Sequence, residues 1–188
     1  VSAVDLLGDS ATKRAGLGTH ESTRMEKDEW LTPPHVLLAL GDFDLDPASP
    51  ITRPWDTAKR HFNIMDDGLK QPWEGRVWLN PPYGAEAGKW LARLAAHPGG
   101  GIAMIFARTE TQVWFEHIWP VAHAVLFLKG RVAFLDSRGR LGTSAAGAPS
   151  ALVAYGKPDA VILRGSGLAG AFVPLREIMG GRAQVIGG

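Results

Sequence analysis

The chain's 188 residues suffice for one domain with a substantial core and are too few for two comfortable ones. A composition of 45% hydrophobic and 21% charged residues is globular, neither disordered nor fibrous, and a formal net charge of +1 excludes a nucleic-acid binder acting through bulk charge while leaving room for a local basic patch. Without cysteine there are no disulfides and no thiolate zinc sites; no apolar run nears the roughly 20 residues of a membrane span and no signal-peptide pattern is present, so a cytoplasmic chain with no membrane partner is expected.

In chain order, residues 1–27 mix small, charged and glycine residues without a sustained period and are expected to form a flexible arm, ahead of a single domain over 28–165. Thr32 as N-cap and Pro33 as first helical residue predict a helix from about Pro33 to Leu40. Trp30, a large aromatic in a polar lead-in, is either a staple on the core or the wall of a pocket. Asp42 to Asp46 alternates with period two and stops at Pro47-Ala48-Ser49-Pro50, which predicts a strand with Asp46 at its carboxyl end. A carboxylate there can pair with an ammonium or accept from ribose hydroxyls. A two-carboxylate metal site from Asp44 and Asp46 is disfavoured, because alternate strand residues point to opposite faces. There is no G-x-G-x-x-G fingerprint, which argues against an ordinary dinucleotide site. His61 to Ile64 is at best a short strand, and Asp66-Asp67-Gly68-Leu69 is a turn; Asp67 either reaches a nucleotide-like cofactor or simply makes that turn.

Arg76-Val77-Trp78-Leu79 has the content of a short buried strand, and two prolines stop it abruptly. Asn80-Pro81-Pro82-Tyr83 must then project beyond a strand's carboxyl end, the edge at which open α/β sheets bind ligands. This is a rigid receptor for a planar base bearing an exocyclic amine. The Asn80 carboxamide oxygen can accept one amine hydrogen, the Pro81 carbonyl, fixed by the ring of Pro82 beyond it, can accept the other, and Tyr83 offers a face for stacking.

Beyond the motif, apolar spacing predicts a helix from about Ala85 to Ala96, a buried strand over Ile102–Ala107, a helix over Val113–Trp119, and a strand over Ala124–Leu128. Arg108 follows the first of these strands; Lys129 and Arg131 follow the second. Arg131 to Leu135 can continue as strand before a glycine-, alanine- and serine-rich loop that carries Arg138 and Arg140. Ala151–Tyr155 reads as another strand and Ala160–Leu163 as a last one. Residues 166–188 are expected to be a weakly ordered tail with one short helix near Pro174 to Met179. The fold class is α/β, a mainly parallel sheet with an antiparallel addition. The six histidines lack ligand spacing, so no metal is expected.

The order of these features resembles the phage-type, or Dam-type, N6-adenine DNA methyltransferases. The resemblance runs through Asp28-x-Trp30-x-Thr32-Pro33, Leu45-Asp46-Pro47-Ala48, Asp67-Gly68-Leu69, Trp78-Leu79-Asn80-Pro81-Pro82-Tyr83, Trp90, Ala107-Arg108-Thr109-Glu110-Thr111, Lys129-Gly130-Arg131 and Pro149-Ser150-Ala151-Leu152-Val153, roughly residues 28–156. It implies a Rossmann-like methyltransferase sheet with S-adenosylmethionine as cofactor and DNA as partner. Asn80, Pro81, Pro82 and Tyr83 would then be catalytic. Trp30, Thr32, Pro33, Asp46, Pro47, Ala48 and Asp67 would bind the cofactor, and Arg108, Lys129, Arg131, Arg138 and Arg140 would contact DNA. Ser49-Pro50 stands where relatives carry a glycine-rich turn, and only about 30 residues separate Asp46 from Asn80, so the usual second and third strands must be shortened or partly absent. Asn-Pro-Pro-Tyr also serves other amino acceptors. An RNA base or a protein glutamine as acceptor, and an inactive DNA-binding relative, therefore stay open on sequence alone.

Overall fold

The computed structural model describes residues 31–84, 86–135, 139–140 and 147–177. The expected arm over 1–27, Trp30 and Arg138 lie outside the described residues.

Pro34 begins α1 (Pro34–Leu40), where a missing N–H costs nothing, and Val36, Leu37 and Leu40 form its buried face. The N-cap is Pro33, with no side-chain cap, so Thr32 does not play the role expected of it. Its hydroxyl instead lies 3.7 Å from the sulfur of Met104, in the interior.

Seven strands follow: β1 (Leu45–Asp46), β2 (Arg60–His61), β3 (Val77–Leu79), β4 (Gly101–Phe106), β5 (Ala124–Leu128), β6 (Ser150–Tyr155) and β7 (Gly170–Pro174). Three more helices complete the described residues: α2 (Ala87–Ala96), α3 (Gln112–His117) and α4 (Lys157–Gly165). The strands form one sheet in the order β2-β1-β3-β4-β6-β5-β7. β2, β1, β3 and β4 are parallel. β6 is antiparallel to both β4 and β5, so β5 runs with the parallel set, and β7 is antiparallel to β5. β1 and β2 have only two residues each, and no helix joins β1 to β2 or β2 to β3.

Alternation along the central strands sorts the core into two layers. Leu79, Ala103, Ile105, Val153 and Tyr155 pack under Trp90, Leu91 and Leu94 of α2 and Trp114 of α3. Trp78, Ile102, Met104, Leu152 and Ala154 pack on the other face with α1 and with Ala160 and Leu163 of α4. At the amino-terminal edge, Arg76 ties three elements together. Its Nε donates to Asp159 of α4 at 2.6 Å, its Nη1 donates to the carbonyls of Leu40 and Asp42 at 2.9 Å each, and its guanidinium lies 4.2 Å from the Phe43 ring centroid.

Three further expectations are corrected. Ala160–Leu163 belongs to α4, because only Asp159, Ala160 and Leu163 face inward, a helical spacing, while Val161 is exposed. The region beyond Gly165 contributes β7, which pairs with β5 from Gly170↔Leu128 to Pro174↔Ala124; Pro174 thus ends a strand and does not start a helix. Arg131 to Leu135 does not extend β5. It runs as irregular chain to one bridge, Leu135 with Leu31, which fixes the approach to α1.

Candidate active site

The chain passes from β1 outward to β2, then returns to place β3 on the other side of β1. The order therefore reverses between β1 and β3, and a crevice outside their carboxyl ends is where such sheets take ligands. Leu45 pairs with Val77, so Asp46 lies beside Trp78 and Asn80 leaves the sheet two residues further on, about 7 Å along the strand. Asp46, Pro47, Ala48 and the Asn80 motif thus share one edge of two neighbouring strands.

Asp46 is buried, at 3% exposure, and its carboxylate accepts from the Ala48 amide at 3.1 Å and the Thr57 hydroxyl at 2.5 Å. Burial pushes its pKa up to about 6; the two hydrogen bonds and the more distant Arg53 pull the other way without cancelling it. Pro47 is buried and Ala48 half-buried. Ser49 is buried as well, its amide donating to the Phe62 carbonyl at 2.9 Å, so the Ser49-Pro50 turn is tied to the chain leaving β2.

The Asp66-Asp67-Gly68 turn lies against this segment. Asp67 has a positive φ of 54°, a left-handed conformation that aspartate tolerates, and Gly68 is packed on the Pro47 backbone. The Trp73 indole N–H donates to the Gly68 carbonyl at 2.8 Å, Trp73 stacks on Trp90 of α2 at 6.2 Å, and the Arg93 guanidinium covers Trp73 at 4.8 Å. Asp67 itself is exposed, and its carboxylate bridges to Lys70 at 2.7 Å.

In the motif, Pro81 is buried, Asn80 and Tyr83 are half-buried and Pro82 is exposed. The Tyr83 hydroxyl donates to the Asn80 carboxamide oxygen at 3.1 Å. The Tyr83 ring stacks on Phe106 at 4.2 Å and 15°, and burial holds its hydroxyl well above the usual phenol range. Phe106 ends β4, one strand over from β3, and register alone could have placed it beside the motif.

The cations lie along the same edge. Arg108 follows β4, with its guanidinium 5.7 Å from the Phe106 ring, and Lys129 and Arg131 follow β5; all three are exposed. Arg140 is exposed too, and neighbouring Gly139 approaches Pro54 and Trp55, which carries that loop back toward the β1–β2 connection. Thr32 and Pro33 are buried at the start of α1, with Thr32 against Met104. Thr57 and His61 are the residues that sequence reasoning did not find. Among the described residues no group of histidine and carboxylate side chains is arranged to hold a metal, and no helix is long and apolar enough to cross a membrane.

Compared with known proteins, residues 19–161 match the family model described as DNA N-6-adenine-methyltransferase (Dam). Neither curated proteins nor solved structures gave a match. The match covers well over half of the chain, and the chain belongs to the Dam family of DNA N6-adenine methyltransferases.

Proposed function

We propose, with that membership as premise, that the chain transfers a methyl group from S-adenosylmethionine to the N6 amine of adenine in DNA, by direct in-line attack on a base extruded from the duplex. One observation carries the reading: Asn80 and Pro81 leave β3 at the carboxyl edge where strand order reverses, beside the Asp46-Pro47-Ala48 segment at the end of β1.

The donor set suits such a cofactor. Asp46 has used one acceptor site on each oxygen, and a carboxylate has about four, so capacity is left for ribose or ammonium donors. The Gly68 turn against Pro47 supplies a second wall, with Asp67 at its tip. S-adenosylmethionine, when bound, supplies an electrophilic methyl on a sulfonium.

The chain's own residues do the rest. Asn80 and the Pro81 carbonyl accept the two N6 hydrogens, which favours positive charge developing on that nitrogen as its lone pair forms the bond to the methyl carbon and the carbon–sulfur bond breaks, the surplus N6 proton then passing to water. The Asn80 oxygen accepts from the Tyr83 hydroxyl, which orients the carboxamide beside the Pro81 carbonyl. Tyr83, supported from behind by Phe106, presents its other face to the adenine ring. Extrusion costs a few kcal/mol and is required because N6 is otherwise inside the duplex. In this reading Arg108, Lys129 and Arg131 hold phosphates around the opened base pair, and Arg138 and Arg140 contact neighbouring nucleotides.

The test is methyl transfer from labelled cofactor onto unmethylated DNA, followed by nucleoside analysis. N6-methyladenine is the expected product, and label confined to protein, RNA or cytosine would overturn the assignment. Asn80→Ala should abolish turnover while cofactor binding persists; simultaneous loss of both would make the motif structural.

A further inference from the structure

Asp46 is held by a closed circuit of contacts that runs through the β1–β2 connection. The Thr57 hydroxyl donates to Asp46 Oδ2 at 2.5 Å, and both residues are buried. Thr57 is held in turn through its backbone: the amides of Thr57 and Ala58 donate to Nε2 of His61 at 3.2 and 3.3 Å. His61 pairs in register with Asp46 across β1 and β2, and the next amide, that of Phe62, donates to the Asp46 carbonyl at 2.9 Å. Arg53 closes the outer side, with Nε on Asp56 at 3.1 Å and Nη2 3.1 Å from His61 Nδ1.

We propose that Thr57 is a positioning residue for cofactor binding: its hydroxyl fixes the rotamer of Asp46 and keeps it ionised, so that the remaining lone pairs face the ribose or ammonium donors of S-adenosylmethionine. The inference rests on the reading of Asp46 as a cofactor ligand. A carboxylate out of water favours its protonated form, and a protonated Asp46 would offer a donor where the cofactor also brings donors. Among the described residues two close donors oppose that tendency, the Thr57 hydroxyl and the Ala48 amide. Arg53 and His61 are the other charged or titratable groups on the β2 side, with Asp56 beyond them; on the β3 side the strand neighbour is the apolar Trp78. Thr57 is also the removable donor, since the Ala48 amide belongs to the main chain.

Two measurements on the full chain test this. The first is S-adenosylmethionine affinity across pH 5 to 9 by calorimetry for wild type, Thr57→Val, Thr57→Ser and Asp46→Asn. Thr57→Val should weaken binding at pH 7 by about tenfold, the size of one charge-assisted hydrogen bond. It should also move the pH midpoint of binding upward, and Thr57→Ser should restore both. The second follows the Asp46 carboxyl carbon by NMR without cofactor; its titration midpoint should rise in Thr57→Val and return in Thr57→Ser. Wild-type affinity and an unmoved midpoint in Thr57→Val would overturn the proposal. So would failure of both Thr57→Val and Thr57→Ala to fold, which would assign Thr57 to the fold alone. If Asp46→Asn binds cofactor as wild type does, the reading of Asp46 is what fails; if Asp46→Asn loses binding and Thr57→Val keeps it, the role of Thr57 fails alone.

Discussion

Tyr83 lies nearly parallel to Phe106, ring centroids 4.2 Å apart, while its hydroxyl donates to the Asn80 oxygen. The aromatic face proposed for the target base is therefore backed by a residue of the next strand and steered by the residue proposed to hold the amine. Phe106→Leu keeps an apolar side chain at the end of β4 but removes the stack. The expected loss is about three- to tenfold in kcat/KM on DNA, in line with an aromatic pair worth ~0.5–1.5 kcal/mol. Affinity for S-adenosylmethionine should hardly change, because the stack lies on the base side of Asn80. Equal losses in both quantities, measured by steady-state kinetics and calorimetry, would show that Phe106 supports the whole edge and not Tyr83 in particular.

Gly68 packs on the Pro47 backbone, between the two loops proposed to hold cofactor. A Cβ there would stand 1.9 Å from the Pro47 carbonyl oxygen and 3.2 Å from the Trp90 ring. Backbone cannot swing away as a flexible side chain can, so Gly68→Ala must push the Asp67 turn off Pro47. Overpacking of this kind costs about 1–3 kcal/mol. Thermal melting should show the destabilisation, and cofactor affinity should fall further than the melting shift explains. A variant as stable as wild type with unchanged affinity would show that the two loops are independent.

Legibility in the sequence followed the range over which its signals act. Ile102–Phe106 is a continuous apolar run between glycines and a polar exit, and it is the central strand β4; Asn80 could be placed at a strand's end because two prolines stop the ladder there. Ala160–Leu163 misled because four consecutive apolar residues carry no period. The helix was announced instead by Pro158 and Asp159 in its first turn, and confirmed by burial of Ala160 and Leu163 but not Val161. β7 is largely exposed along its length, so it has no inside-outside alternation to read. Thr57 and His61 were invisible for a different reason. Their roles depend on an irregular connection returning to Asp46, and no periodicity encodes where such a loop comes to rest.

Asp46 and His61, adjacent in register, should give opposite pH dependences of stability. The Asp46 pKa is raised in the fold to about 6 from 3.8, so folding is favoured by its protonated form. That contribution is complete below about pH 4 and is lost as pH rises through 6. His61 is shifted downward, mainly by burial and next by Arg53, with Asp56 opposing, so its contribution is present above its unfolded value of 6.5 and is lost as pH falls. Asp46→Asn removes the first titration alone. Its melting temperature relative to wild type should be highest above pH 6 and should decline as pH falls toward 4, while cofactor binding is weakened throughout. His61→Gln should flatten the acid-side loss instead. A pH-independent difference between Asp46→Asn and wild type would mean that Asp46 is ionised across the range and that burial does not govern it.

A chain of net charge +1 can bind a polyanion only through local placement, and the proposed phosphate contacts lie along the carboxyl edge of the sheet. Lys129 and Arg131 follow β5 and are exposed there, whereas Lys157 begins α4 just after Tyr155, which pairs with Gly101 at the opposite edge. If the duplex lies across the carboxyl edge, the two sets of cations differ in how many counterions they release. Removing one phosphate contact lowers the slope of log affinity against log salt by about 0.9 on duplex DNA. Lys129→Gln and Arg131→Gln should each reduce that slope by roughly one and weaken binding evenly across DNA sequences, since phosphate contacts carry no base information. Lys157→Gln removes the same formal charge and should leave the slope unchanged, which separates a docking edge from a general effect of net charge. Fluorescence anisotropy on a short duplex at several salt concentrations measures all three. Equal effects of Lys129→Gln and Lys157→Gln would place the DNA elsewhere on the molecule.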